Sequence, residues 1–216
     1  MKGAFMPEEE LIAGLDEVGW GSGAGPIVSV VVVTRAKDLM FLPKGVTDSK
    51  KLSEIRRRSL LLPLLEAAYD KGLGAVEAWE IDKLGPKWAL QESYKRALGE
   101  LHCVPDMLIV DGTEWGNRVN SWAGKQIIEP KADLNHVQVS MASIIAKVMR
   151  DQVMVEKAAM LRKLGRPDYD WAINKGYLTK THTDAIEKHG LLMGPTIYEH
   201  RRSYCSKFLG KVANNG

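Results

Sequence analysis

IAGLDEVGWGSGAGPIVSVVVVT, residues 12–34, holds two apolar runs separated by a glycine-rich turn. Leu11–Leu15 and Ile27–Thr34 read as neighbouring antiparallel strands, because β-branched and apolar residues favour a pleated, buried surface. The first run delivers Asp16-Glu17 at its end. Ionised carboxylates seldom adjoin buried residues without a compensating cation or donor, so this strand end is the first candidate site. The turn contains a G-x-G-x-x-A spacing (Gly19, Gly21, Ala24). A dinucleotide-binding loop of that spacing opens a helix, whereas Pro26 and IVSVVVV follow here, and the dinucleotide reading fails on context. What survives is a backbone free to approach a sugar or phosphate closely.

Working outward, Ser53 is placed to cap a helix carrying Ile55, Leu60, Leu61, Leu64 and Leu65, with Pro63 as a kink. Residues 73–80 alternate as a third strand, and 86–101 read as a helix ending before Pro105. Met107–Val110 is a short buried run that stops at Asp111-Gly112, and Ile127-Ile128 is another before Pro130. Met141, Ile144, Ile145, Val148 and Val155 predict one long helix, or two, over 137–164, closed by Gly165-Arg166-Pro167. A shorter helix is expected at 181–189. This order predicts an α/β fold: a mixed sheet whose first three strands are antiparallel, flanked by helices. One domain is expected over 1–216, with a core at about 10–165 and a helical C-terminal segment at about 166–210.

With 216 residues, 45% hydrophobic and 26% charged, and no repeat, the composition is that of a globular protein. A net charge of +3 is compatible with a polyanionic partner without requiring one. Cys103 and Cys205 lie far apart with no CxxC, so neither a disulfide framework nor a zinc site is indicated. MKGAFMPEEE lacks the apolar stretch of a secretory signal, and Ile27–Val33 is too short to cross a bilayer. A soluble, cytoplasmic protein with no membrane partner is expected.

Asp111 repeats the Asp16-Glu17 arrangement, and Asp133 follows a third short apolar run, so three chain segments could bring carboxylates to one site. Oxygen ligands without nearby His or Cys favour Mg2+ or Mn2+ over zinc. Asp-Gly is equally an ordinary turn, and Asp133 equally a helix cap. On these residues alone both readings stand.

IAGLDEVGWGSGAGP resembles the first signature of type 2 ribonuclease H (ribonuclease HII): an apolar strand, Asp-Glu, Gly-Arg-Gly, then Ala-Gly-Pro. Six further blocks follow in the family's order: DSKKLS (48–53), Val110-Asp111-Gly112, Lys131-Ala132-Asp133, MASIIAKVMRD (141–151), NKGYLTK-H (174–182) and HRRS (200–203). The resemblance covers about residues 11–204. It implies a ribonuclease H-like fold and an endoribonuclease that cuts the RNA strand of RNA–DNA hybrids, including single ribonucleotides in duplex DNA. Asp16, Glu17, Asp111 and Asp133 are then the catalytic, metal-binding carboxylates, holding Mg2+ or Mn2+, two ions with substrate bound. A water attacks in line, leaving 3′-hydroxyl and 5′-phosphate ends.

The resemblance further assigns Tyr177 to the sugar at the RNA–DNA junction, and the backbone of Gly19 and Gly21 to the ribose 2′-hydroxyl. Lys50, Ser143 and Lys147 fall in blocks near the substrate backbone. One departure is Gly19-Trp20-Gly21, where the family has Gly-Arg-Gly. Loss of that arginine predicts weaker phosphate attraction or a shifted preference between single ribonucleotides and RNA tracts. Monomer is the family's usual state, and KFLGKVANNG shows no convincing clamp-binding motif.

Two other functions share such a fold: a noncatalytic hybrid- or DNA-binding protein, and a nuclease selective for branched DNA. Retention of all four carboxylates argues against the first, and the NKGYLTK and glycine-loop blocks against the second. Outside these blocks, His182 and His189, seven residues apart, read as surface histidines, and Arg56-Arg57-Arg58 as a solvated helix face. His200-Arg201-Arg202 reads as a phosphate contact. Trp79 and Trp88 read as packing residues, and Trp20 as exposed on its loop.

Overall fold

Five strands form one sheet in the order β3-β2-β1-β4-β5 in the computed structural model, which describes residues 9–46 and 49–210. Asp48 of the DSKKLS block and the tail beyond Gly210 lie outside the described residues. β1 is Leu11–Val18, β2 Ile27–Arg35, β3 Asp70–Val76, β4 Met107–Asp111 and β5 Lys125–Glu129. β4 runs parallel to both β1 and β5. β1 and β2 are sheet neighbours joined by residues 19–26, a link shorter than a parallel crossover needs, so that pair is antiparallel and the sheet is mixed.

Among the described residues the α-helices are α1 Glu54–Ala67, α2 Ala78–Leu84, α3 Pro86–Gly99, α4 Glu114–Asn117, α5 Ala132–Asn135, α6 Val137–Lys163, α7 Trp171–Asn174, α8 Lys180–His189 and α9 Arg202–Cys205. Ser53 caps α1 as expected, its hydroxyl accepting from the Arg56 amide, and the helix runs on through Pro63. The 137–164 segment forms the single helix α6. The third strand lies earlier than the 73–80 expected from alternation. Glu77 and Glu80 form a reciprocal capping box that starts α2 at Ala78, so the strand ends at Val76.

Contacts divide the chain into two compact units. Among the described residues, the first takes 9–18, 29–46, 49–74 and 91–148; the second takes 19–28, 75–90 and 149–210. In the first, Val30 and Val32 of β2 pack with Leu60 and Leu64 of α1 and Met141, Ile144 and Ile145 of α6. Ile12, Ile109, Ala132 and Val139 form a second cluster in the same unit. These residues leave water through the 3.6-residue period of the helices and the near-continuous apolar runs of the strands.

The second unit is built around Met154, Leu161, Tyr169, Trp171, Ile186, Leu192 and Phe208. A smaller cluster of Ile27, Val76, Ile81 and Ala89 takes up Trp20 and Trp88, both half-buried. Two tryptophans thus differ from expectation: Trp20 packs against this cluster, and Trp79 is half exposed. Among the described residues, no helix is long and apolar enough to cross a membrane.

Candidate functional site

Parallel pairing of β1 with β4 sets Leu15 opposite Val110, so the next residues along, Asp16 and Asp111, emerge side by side at the strands' C-terminal ends. Adjacent strands lie about 4.8 Å apart, which forces the two carboxylates to interact. Open sheets present ligand sites at this end. β5 continues the register with Glu129 opposite Asp111. Past β5, the Ala132 amide donates to Asp111 Oδ1 at 2.9 Å, which fixes that carboxylate against the start of α5. Asp133, the next residue, is buried, and its carbonyl accepts from Ser140 Oγ.

The electrostatics of the cluster are unfavourable in the absence of a cation. Burial pushes the Asp16 carboxyl well above the usual range, the charges of Glu17 and Asp111 push it further, and the Ser143 hydroxyl partly opposes them. Glu17 is raised chiefly by burial, and the Tyr94 hydroxyl and the Lys50 charge pull it back. Ser143 is itself held at 2.8 Å from Ser49 Oγ. Lys50 is exposed, and Lys147 stands one helical turn beyond Ser143 on α6 and is half-buried. Asp16, Glu17, Asp111, Ser143 and Lys50 are therefore linked by hydrogen bonds or charge, with Asp133 joined through the neighbouring Ala132 peptide.

Among the described residues, no three carboxylate, imidazole or thiol groups stand as a ready-made metal cage. The donor chemistry nonetheless suits a hard divalent cation. Its carboxylates and the Ser143 hydroxyl offer oxygen donors only, the carboxylate charges repel one another, and Mg2+ typically takes one or two carboxylates and completes its shell with water and phosphate.

The glycine loop and Tyr177 belong to the second unit. Gly23 and Ala24 amides both donate to the Gly176 carbonyl, at 3.0 and 3.1 Å, tying the loop to the residue before Tyr177. Gly19 has φ +89°, and a Cβ there would lie 2.1 Å from Arg150 Nε. Gly21 is exposed, with open space where a Cβ would stand. Tyr177 is half-buried, its ring 5.5 Å from the Arg150 guanidinium carbon.

Several expectations are corrected here. His182 is fully buried and does not share a surface with the exposed His189. In HRRS, His200 and Arg201 are also fully buried. Arg201 donates to the carbonyls of Gly25, Gly19 and Trp20 at 2.8, 2.6 and 3.2 Å, so it braces the loop from within and is not available to phosphate. Arg202 is exposed.

Sequence reasoning missed Tyr94, whose hydroxyl meets Glu17, and Arg150, which lies inside a matched block but carries no surface charge. For Tyr94, the helical register of α3 could have shown a buried face, but not its partner.

The ribonuclease HII family model matches residues 13–207. Ribonuclease HII of Aliivibrio fischeri (strain MJ11) is 40% identical over 195 residues, covering 90% of this chain and 86% of that protein. Ribonuclease HII of Vibrio vulnificus (strain YJ016) is 39% identical over 193 residues, covering 89% of this chain and 85% of that protein. The crystal structure of ribonuclease H2 from Pyrococcus horikoshii OT3 has a TM-score of 0.71 at 29% identity, covering 92% of this chain and 96% of that one. Identity of this extent, together with the matching fold, means that the chain belongs to the ribonuclease HII family.

Proposed function

We propose that Asp16, Glu17, Asp111 and Asp133 are the catalytic carboxylates with which this protein hydrolyses the RNA strand of RNA–DNA hybrids, including single ribonucleotides embedded in duplex DNA. Family membership carries the activity on hybrids. The observation that carries the site is the β1–β4 register, which sets Asp16 beside Asp111 with Glu17 adjoining. A cluster of buried, mutually repelling carboxylates is costly unless a cation offsets it.

The four carboxylates are the groups that would hold Mg2+ or Mn2+, two ions with substrate bound. When bound, the ions lower the pKa of the attacking water and neutralise charge on the phosphate. The protein's own groups do the rest. Tyr94 fixes one Glu17 oxygen, Ser143 steadies Asp16, and the Ala132 amide orients Asp111. The exposed backbone at Gly21 and the Tyr177 ring read the ribose, whose 2′-hydroxyl separates RNA from DNA. Lys50 and Lys147 attract the phosphate backbone. Because the 2′-hydroxyl is recognised and is not the nucleophile, the products carry 3′-hydroxyl and 5′-phosphate ends. A monomer acting in the cytoplasm accompanies this reading.

The test is cleavage of a labelled DNA duplex containing one ribonucleotide, beside an RNA–DNA hybrid and an all-DNA control, in Mg2+ and in Mn2+. Cutting at the 5′ side of the ribonucleotide, with DNA intact and Asp111→Asn inactive, is expected. Binding without cutting, or near-normal rates from Asp111→Asn, would overturn the assignment.

A further inference from the structure

Arg150 is a large cation with no exposed surface, on the part of α6 that belongs to the second unit. Its guanidinium donates to the Pro26 carbonyl at 2.9 Å, the Lys175 carbonyl at 2.8 Å, Ser22 Oγ at 2.7 Å and the Ala24 carbonyl at 3.0 Å. Three of these acceptors belong to the loop and its exit; the fourth lies two residues before Tyr177. The same guanidinium lies 5.5 Å from the Tyr177 ring centre. Ser22, having accepted from Arg150, stands 3.0 Å from both the Gly19 and Ala24 carbonyls as a donor. Arg201 takes the Gly19, Trp20 and Gly25 carbonyls from its own side.

The loop's carbonyls are thus gathered inward onto two buried cations, while Gly21 at its apex is left exposed. A planar donor with fixed fork geometry can hold several carbonyls at once, which an ammonium cannot. The missing side chain of Gly19 belongs to the same construction, because the space a Cβ would need is occupied by Arg150 Nε.

We infer that Arg150 is a positioning residue for ribose recognition: it locks the 19–26 loop and the Tyr177 segment into one rigid reader. The inference rests on the assignment of Gly21 and Tyr177 to the ribose. A reader of this kind must hold its groups within about half an ångström, and loss of the shared brace relaxes both halves together.

The experiment measures affinity for a duplex with one embedded ribonucleotide and for its all-DNA counterpart, in Ca2+ to suppress cutting, with thermal melting alongside. Tyr177→Ala, Arg150→Lys and the double variant form a cycle. Tyr177→Ala is expected to lower the ribonucleotide-to-DNA affinity ratio about tenfold or more, and Arg150→Lys to lower it to a similar extent. The double variant should lose little beyond either single one. If Arg150→Lys does not fold, Ser22→Ala, which breaks the hydroxyl relay, takes its place in the cycle with a smaller loss expected. An unchanged ratio in Tyr177→Ala overturns the ribose-reading assignment itself. A lowered ratio in Tyr177→Ala, with either no effect of the brace variant or fully additive losses, overturns only the role of Arg150.

Discussion

The Tyr94 hydroxyl stands 3.0 Å from Glu17 Oε2 as its donor and accepts from Asn117 Nδ2 at 2.9 Å, so the phenol is fixed on both sides. Asn117 Oδ1 in turn accepts from the Thr113 amide at 3.1 Å. Burial and the Glu17 charge hold the phenol protonated, well above its ordinary range, so it stays a donor at every working pH. Tyr94→Phe keeps the ring and leaves both partners short of a bond. A kcat reduction of about tenfold, equivalent to about 1.4 kcal/mol, is expected with KM within about twofold. The fold should lose about 1–2 kcal/mol. Steady-state cleavage and thermal melting measure the two effects, and an unaltered kcat would remove Tyr94 from the site.

Asp16 makes the opposite prediction for stability. Its folded-state pKa is raised by burial and by the charges of Glu17 and Asp111. With the folded value above the unfolded one, the native state binds more protons in the intervening window, and stability falls as pH rises through it. At pH above the unfolded-state value the carboxyl therefore destabilises the metal-free protein. Asp16→Asn is expected to raise Tm in EDTA by about 3 °C or more, following the usual conversion of about 1 kcal/mol to 2–4 °C for a chain of this size. It should also abolish turnover and reduce the stabilisation given by Mg2+ or Mn2+. A lower Tm in EDTA would show that the carboxylate is held by donors stronger than its repulsion.

Most of the sheet and the long helix were legible because their signals are local. The run before Asp16 is apolar, the run from Ile27 is β-branched, and α6 repeats its apolar residues at helical spacing over 27 residues. The third strand was misplaced because DKGLGAV mixes charge and glycine with few apolar positions, while the Glu77–Glu80 box that ends it is a helix-start signal. Asp16, Glu17 and Asp111 could be picked out as carboxylates at strand ends, but their adjacency depends on the β1–β4 register, which no local pattern carries. Arg150, His182, His200 and Arg201 were illegible as interior groups. A charged or titratable residue reads as surface unless its partners are known, and here the partners are mainly backbone carbonyls, a Ser22 hydroxyl and another imidazole.

The buried imidazoles predict acid sensitivity. The Leu192 amide donates to His200 Nδ1 at 2.9 Å, so the His200 proton sits on Nε2 and points at His182 Nε2, 3.1 Å away. Trp171 Nε1 donates to the same His182 nitrogen at 3.1 Å, leaving the His182 proton on Nδ1, 3.0 Å from the Tyr177 carbonyl. Neither ring has room for a second proton. Burial lowers His182 to about 4 and holds His200 well below its ordinary value. The unfolded chain therefore binds more protons than the native one between about pH 6.5 and 4, and stability falls as pH falls through that window. For His182 alone the loss is on the order of 3 kcal/mol by pH 4. Denaturant unfolding at pH 7.5 and pH 5 should show the decline, and His182→Asn, which can still donate to the Tyr177 carbonyl, should flatten it. An equal decline in that variant would assign the acid sensitivity elsewhere.

Trp20 predicts a separation between packing and attraction. Its ring rests half-buried on the cluster of Ile27, Val76, Ile81 and Ala89. Trp20→Arg keeps an apolar stem over that surface but gives up the indole, with an expected loss of about 1–2 kcal/mol. The new charge adds one cation to a protein that binds a polyanion. KM should fall at low salt, and the dependence of log affinity on log salt should steepen by about one unit. Because the exposed backbone of Gly21 is assigned to the ribose, kcat on a single embedded ribonucleotide should stay within about twofold. Titration of KM and kcat between 50 and 200 mM salt, on that substrate and on an RNA tract, measures each term. A tenfold change in kcat with KM constant would mean that the side chain at position 20 acts on the bound substrate and does more than pack.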